Sequence, residues 1–400
     1  MKNSHKIWLG VTAASALVLA ACAPTDAGAE SDSEGGEAAV ESVDVAIITS
    51  TTGPLAGYGA QYIDGLEAGL DYVTDGTNTI DGIEINLIYG DDKGDPDTAV
   101  QLAKEHIGAG VNIIAGTAVS GISTQLAEQA EQNKILYISG PAATDAVTGV
   151  NDYTFRSGRQ SQQDVATAGT FLDTLEDSNV VVYAQQNAFG EGNVAAVEQI
   201  LGAEGANVDS VLVPEDATEF TAFSQQVLDA SPDLVFVAWA GATSGSMWQS
   251  LSQQGVFEDV PVVTGLGDEA TYGAFGEASE EISFLNHYFA GAPDNEVNDA
   301  MLEYLEAEGK TADLFTPDGF VAAQMIAEAV SKGQGDVEAA KEALEGFTFE
   351  GPKGTTTVRA EDHALIQEMY QVKLVADGDG FVPELVNTVD GEQVAPPVVE

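Results

Sequence analysis

Short apolar runs alternate with amphipathic stretches along nearly the whole chain, and this alternation restricts the possible folds more than any other feature. Residues 43–48, 83–89, 111–115 and 135–138 are runs of Val, Ile, Leu and Ala that read as buried strands. Helical stretches follow them, from about Ala60 to Val73, from Pro96 behind the capping residue Asp95, and from Ser120 through 124–133. After a short run at 153–156 the cycle repeats, with helix 161–175, strand 180–184, helix 191–204, strand 208–213, helix 220–230, strand 234–238, helix 243–254 and strand 260–264. Strand 282–287, helices 298–306, 317–331 and 337–344, and a closing strand 368–375 complete it. Two such blocks predict an α/β protein with two parallel sheets wrapped by helices.

Within the first block the stretch from Gly116 to Thr144 is a strand, helix, strand unit with hydroxyls at both strand exits. Ligands of open parallel sheets collect beyond the carboxyl ends of strands, where a helix N-terminus offers unpaired N–H groups to an anion. Ser120 and Thr144 are therefore candidate ligand contacts. The alternative is that Ser120, Ser123 and Thr144 cap helices. Trp239, at the end of strand 234–238, either projects toward a ligand or packs in the core. Two of the three arginines, Arg156 and Arg159, lie between the two blocks. A guanidinium there forks a ligand carboxylate, pairs with Asp164, or holds a crossover between lobes.

Other chemistry is poorly supported. The net charge of −52 repels nucleic acid. The pattern G-x-G-x-x-A occurs at Gly190 and at Gly265, but the first lies too far from its strand and the second carries Asp268 and Glu269 where a pyrophosphate would rest. His5, His106, His287 and His363 are scattered singly, and no nucleophile elbow, zinc motif or C-x-x-C is present, so neither an enzyme nor a cofactor site is expected. The acids Asp91, Asp92, Asp95 and Asp97 lack the glycine and distant glutamate of a calcium loop and read as a turn with a helix cap.

The single cysteine, Cys22, excludes an internal disulfide. Lys2 and Lys6 precede an apolar run that ends in Leu19, Ala20, Ala21 and Cys22, the layout of an export signal. These last four residues resemble a bacterial lipobox, which would make Cys22 the acylated first residue; an ordinary signal with a chance cysteine is the alternative. Residues 23–42, rich in Ala, Gly, Ser and acids, read as a disordered tether.

In order and spacing, several segments are similar to the leucine/isoleucine/valine-binding protein family of extracellular solute receptors that feed ABC importers. They are Ser50 to Pro54 with Tyr58 and Gly59, the Asp91 to Pro96 turn, Ser120 to Gln125, Pro141 to Thr144, Phe155-Arg156, Phe189 to Gly192, and Gly351-Pro352. The resemblance implies two Rossmann-like lobes joined by three crossovers, residues 43–158 with 289–363 and residues 159–288 with 364–400, closing on a small solute, most simply an amino acid of the branched-chain type. Amides, short-chain acids or aromatic carboxylates are the alternative ligands, and a ligand-sensing receptor domain the alternative role. It also implies permease and ATPase partners, a monomer, and attachment outside the cytoplasm by the lipid anchor. Family contacts fall on Ser120 for a carboxylate, on the Ala142 carbonyl and Thr144 hydroxyl for an ammonium, on Tyr58 and Trp239 at the wall, and on Asp268 or Glu269 as the acid facing the ammonium.

Overall fold

The computed structural model describes residues 40–171, 174–378 and 380–399. The expected signal at 1–22 with Cys22, and residues 23–39 of the expected tether, lie outside them. Strands β1 (Ser42–Thr49), β2 (Thr79–Ile80), β3 (Ile83–Asp91), β4 (Ile113–Gly116), β5 (Leu136–Ser139) and β6 (Thr154–Arg156) form one sheet in the order β2-β3-β1-β4-β5-β6. All neighbours from β3 to β6 are parallel, and β2 is a short antiparallel edge. The second sheet is built on the parallel strands β7 (Asn179–Gln185), β8 (Asn207–Val213), β9 (Leu234–Ala238), β10 (Val262–Gly265) and β11 (Ile282–Asn286). A small antiparallel sheet of β12 (Thr348–Gly351), β13 (Gly354–Val358) and β14 (Leu365–Ile366) precedes β15 (Met369–Asp377) and β16 (Gly380–Val389). These last two extend the second sheet to the order β16-β15-β11-β10-β9-β7-β8.

Strands covered on both faces need apolar residues at every position rather than at alternate ones. Val45, Ala46, Ile47 and Ile48 are accordingly all fully buried, the odd positions in one apolar cluster and the even ones in another on the opposite face. The first sheet is flanked by α1 (Ala56–Thr74), α2 (Pro96–Gly108) and α3 (Ser120–Asn133), the second by α4 (Ser161–Gly169), α5 (Ala188–Ile200), α6 (Thr221–Asp229) and α7 (Ser244–Gln253). The Thr316–Gly333 helix returns to the first sheet and packs on α1 so closely that a Cβ at Gly65 would lie 1.7 Å from the Thr316 carbonyl oxygen. Asp95 caps α2 as expected, accepting the Thr98 amide at 2.7 Å.

Several elements differ from expectation, among them the strands β2 and β12 to β14, which were not foreseen. Helix α1 begins at Ala56 rather than near Ala60: its first turn holds Gly57 and Gly59, which look like loop residues, but a Cβ at Gly59 would meet the Ser50 carbonyl oxygen at 1.8 Å. Helix α4 stops at Gly169 instead of running to 175, and the hydroxyls of Thr167 and Thr170 turn back to the carbonyls of Gln163 and Thr167. Strand β16 was not anticipated, because most of its residues are exposed on both faces and Pro383 interrupts it, leaving no periodic signal.

The chain passes between the sheets three times: from β6 to α4, from β11 to the Glu296–Ala307 helix, and from β14 to β15. In the first sheet β1 lies between β3 and β4, and in the second β7 lies between β8 and β9. Strand order reverses at these places, so the crevices beyond the ends of β1 and β4 and of β7 and β9 are where a ligand belongs.

Candidate functional site

The two crevices line one cleft of about 590 Å³, partly open to solvent. The first lobe lines it with Leu55 and Tyr58 from the start of α1, Ala118 to Gly121 from the start of α3, and Pro141 and Ala143 after β5. The second contributes Gln185 and Asn187 to Phe189 around the start of α5, Trp239 to Thr243 after β9, and Gly265 to Gly267 after β10. Arg159 and Asp164 enter from the first crossover, His287 from the second, and Phe315 from the segment before the Thr316–Gly333 helix. The lobes meet around this space: Asp313 Oδ2 accepts the Glu269 amide at 3.1 Å, and a Cβ at Gly121 would lie 3.9 Å from the Ala188 Cβ.

Helix α3 supplies an open N-terminus. Its N-cap position is Val119, which has no side chain able to cap, and the first amides with a backbone acceptor are those of Ile122 and Ser123, both directed to the Val119 carbonyl. The Ser120 and Gly121 amides and the Ser120 hydroxyl have no partner among the described residues. Ser123 does not cap either: its hydroxyl lies 2.8 Å from that of Ser139 and accepts the Tyr137 phenol at 3.0 Å. The acids of the 91–95 turn are structural. Asp92 accepts the Ser50 and Thr117 hydroxyls, and Asp91 accepts the Thr51 and Thr52 amides, which fixes the loop leading into α1.

The two arginines of the first crossover have separate tasks. Arg156 is 1% exposed and donates to the carbonyls of Thr144 (2.7 Å), Ala142 (2.7 Å) and Arg159 (2.8 Å). It thereby shapes the backbone after β5, and burial lowers its pKa to about 10. Arg159 lies in the cavity wall, donates Nη1 to the Pro141 carbonyl at 2.8 Å, and approaches Asp164 with Nε at 3.3 Å. Burial raises the carboxyl of Asp164, while burial together with Arg159 and Lys353 keeps the His287 imidazole well below its usual range and therefore neutral.

Among the residues singled out from sequence, Tyr58, Ser120 and Trp239 line the cavity. Tyr58 packs against Phe315 with ring centroids 4.5 Å apart. Trp239 donates its indole N–H to Thr243 at 3.0 Å and stacks on Tyr183, so it serves both the wall and the core. Ala142, Thr144, Asp268 and Glu269 are not in the wall. The Ala142 carbonyl is taken by Arg156, and the Thr144 hydroxyl accepts the Ala146 amide at 3.2 Å as the cap of a short 3-10 turn. Asp268 lies against α1, with Oδ2 3.7 Å from where a Cβ of Gly57 would stand, and its Oδ1 is buried without a partner. Glu269 is exposed. Sequence reasoning did not single out Phe189, His287 or Phe315 as wall residues. Phe189 was within reach as part of the Phe189 to Gly192 motif, whereas Phe315 stands in an irregular segment with no periodicity to reveal its direction.

Residues 42–379 match the model of a family described as periplasmic binding protein. A Leu/Ile/Val-binding protein homolog 3 from Brucella melitensis is 25% identical over 328 residues, 80% of this chain and 88% of its own. A leucine-, isoleucine-, valine-, threonine- and alanine-binding protein from Pseudomonas aeruginosa is 24% identical, covering 79% of this chain and 85% of its own. Among solved structures, an ABC-type branched-chain amino acid transporter from Rhodopseudomonas palustris CGA009 superposes with a TM-score of 0.74 at 32% identity, over 89% of this chain and 99% of its own. A solute-binding protein from R. palustris in complex with 4-hydroxybenzoate gives a TM-score of 0.78 at 20% identity, over 87% and 97%, a likeness of fold. With the cleft and every strand of both sheets except β16 inside the matched span, the chain belongs to the periplasmic binding protein family.

Proposed function

We propose that the protein is the extracytoplasmic receptor of an ABC importer and captures one small solute, with a polar end and an apolar body, by closure of the two lobes. The observation that carries this reading is the cleft of about 590 Å³ lined from strand exits of both sheets, which no single lobe could form. Binding of that kind shifts an open and closed equilibrium, because contacts from both lobes coexist only when the cleft is shut. Tyr58, Ser120 and Trp239 are the proposed contacts carried over from the sequence. Lobes of 43–158 with 289–363 and of 159–288 with 364–400 are the proposed moving bodies. Lipid attachment at Cys22 after signal cleavage, a tether of 23–42, delivery to permease and ATPase subunits, and action as a monomer without catalysis complete the proposal. Branched-chain amino acids and aromatic carboxylates, the ligands named for relatives, both fit a cavity of this size.

A thermal-shift screen of amino acids, amides and aromatic and aliphatic acids tests it. A ligand at a hundred times its dissociation constant stabilises the folded chain by about 2.7 kcal/mol. A folded chain that no small polar solute stabilises contradicts the receptor role.

A further inference from the structure

The segment that follows β16 leaves one lobe and fastens to the other. Val389, at the end of β16, and Val394 are buried beside Met369 at the start of β15, with Ala166 of α4 packed against them, all parts of the second lobe. A turn closed by the Gln393 amide on the Asp390 carbonyl joins the two valines, and Gly391 lies against the backbone of Gln367 in the third crossover. Two residues beyond Val394 the partners change. The Pro396 carbonyl accepts Arg359 Nη1 at 2.7 Å, the Val399 amide donates to Asp362 Oδ2 at 3.0 Å, and a Cβ at Gly149 would lie 2.8 Å from that of Val399.

Arg359 and Asp362 belong to the first lobe. They stand between β13 and β14, whose Val358 and Leu365 share the apolar cluster of β1. His363 beside them stacks on Phe155 of β6 with ring centroids 4.0 Å apart, and the Gly149 amide donates to the Asp362 carbonyl at 2.8 Å. The clasp itself is firm: the Asp362 carboxylate is fully buried and takes Arg359 Nε at 2.8 Å and Nη2 at 2.6 Å, a bidentate pair.

The connection between the anchors is stiff as well. Ala395 and Pro396 each precede a proline and are held extended, and Pro396 and Pro397 have a fixed φ. From Val394 to Pro396 the chain is already close to its full reach of about 7 Å and has no slack to give. Neither the clasp nor residues 390–399 line the cavity.

Resting on the lobe closure proposed above, we propose that residues 390–399 form a strap across the hinge, a fourth tie beside the three crossovers, which must let go when the lobes part widely. Its contacts belong to the closed shape, so they hold the unliganded cleft nearer to closure and raise the affinity for a solute that they never touch.

Two variants of the full-length chain release the strap from opposite ends. Val394→Asp sets a carboxylate among buried apolar side chains of the second lobe, and Arg359→Gln removes the donor to Pro396 on the first. Hydrogen exchange at 396–399 should rise in both, confirming release. Small-angle scattering should then give a larger radius of gyration for the unliganded variants. Calorimetry with a solute found in the thermal-shift screen should show affinity about 3- to 10-fold weaker, the liganded radius being unchanged. On the unaltered chain, saturating solute should slow exchange of the Val399 amide. A folded variant with a freed tail but unaltered unliganded scattering and affinity overturns the strap. If neither variant folds by circular dichroism, the Val399 amide decides, and exchange that solute leaves unchanged overturns it. A chain that binds no solute removes the receptor reading, while the unliganded scattering of the variants still judges the strap.

Discussion

The starts of α3 and α5 line the same cavity from the two lobes, after β4 and after β7, yet only α5 carries a side-chain cap. At α5 the Asn187 side chain takes the Gly190 amide at 2.9 Å, while the Ala188 and Phe189 amides have no acceptor among the described residues. At α3, Val119 occupies the cap position and the Ser120 and Gly121 amides stay free. In the proposed receptor, apolar cover in the second lobe comes from Phe189, Trp239 and Leu266.

The largest effect is expected from the group that holds the first side in shape. Arg156→Leu leaves three buried carbonyls without their donor and should cost about 3 to 5 kcal/mol of stability in urea unfolding. A loss below about 1 kcal/mol would mean that the backbone after β5 holds itself. Next comes the apolar side. Trp239→Ala should weaken any bound solute by about 2 to 3 kcal/mol through lost burial, by the same amount for charged and uncharged ligands. A loss confined to charged ligands would place polar reading in the second lobe.

Smaller substitutions sharpen the contrast between the two helix starts. Ser120→Ala should weaken binding by about 1 to 2 kcal/mol with little change in melting. Asn187→Ala should do the reverse, costing about 1 kcal/mol of stability as a lost cap and leaving affinity unaltered. Thr144→Ala should behave like Asn187→Ala, since its hydroxyl caps a turn. If Thr144→Ala instead abolishes binding in calorimetry, the solute reaches the exit of β5.

Proton linkage gives the smallest effect. Burial pushes Asp145 up to about 6, and burial with Asp268 and Glu269 nearby pushes Asp313 up to about 6. Both acids hold protons in the folded chain that the unfolded chain has released above roughly pH 4. Stability should therefore fall as pH rises from about 4 to 6, with no further contribution from these groups above that. Asp313→Asn should flatten part of the slope, and an unchanged slope of melting temperature against pH would show that the Asp313 seam between the lobes is well solvated.

Much of this was legible in the sequence, for identifiable reasons. Doubly covered parallel strands write themselves as unbroken apolar runs, so β1, β4, β7 and β9 and the exits behind them could be read directly. Ser120 was found because it follows such a run at the start of a helix. What escaped notice depends on tertiary placement. Whether Thr144 meets a solute or caps a turn is decided by Arg156, which fixes the carbonyls beside it. The separation of Arg156 from Arg159 could not be read from their spacing, because only the fold shows one guanidinium enclosed by backbone and the other at the cavity wall. Strand β16 is mostly exposed and carries Pro383, so only Phe381 and Val389 mark it against the core.

Closure of the two lobes around a solute underlies every one of these expectations, and small-angle scattering of the full-length chain measures it directly. Saturation with a solute found in the thermal-shift screen should reduce the radius of gyration, because an open form lacks the Asp313 to Glu269 hydrogen bond and the Gly121 to Ala188 approach seen here. A scattering curve that stays the same while calorimetry shows the ligand bound contradicts a cleft that shuts on its solute.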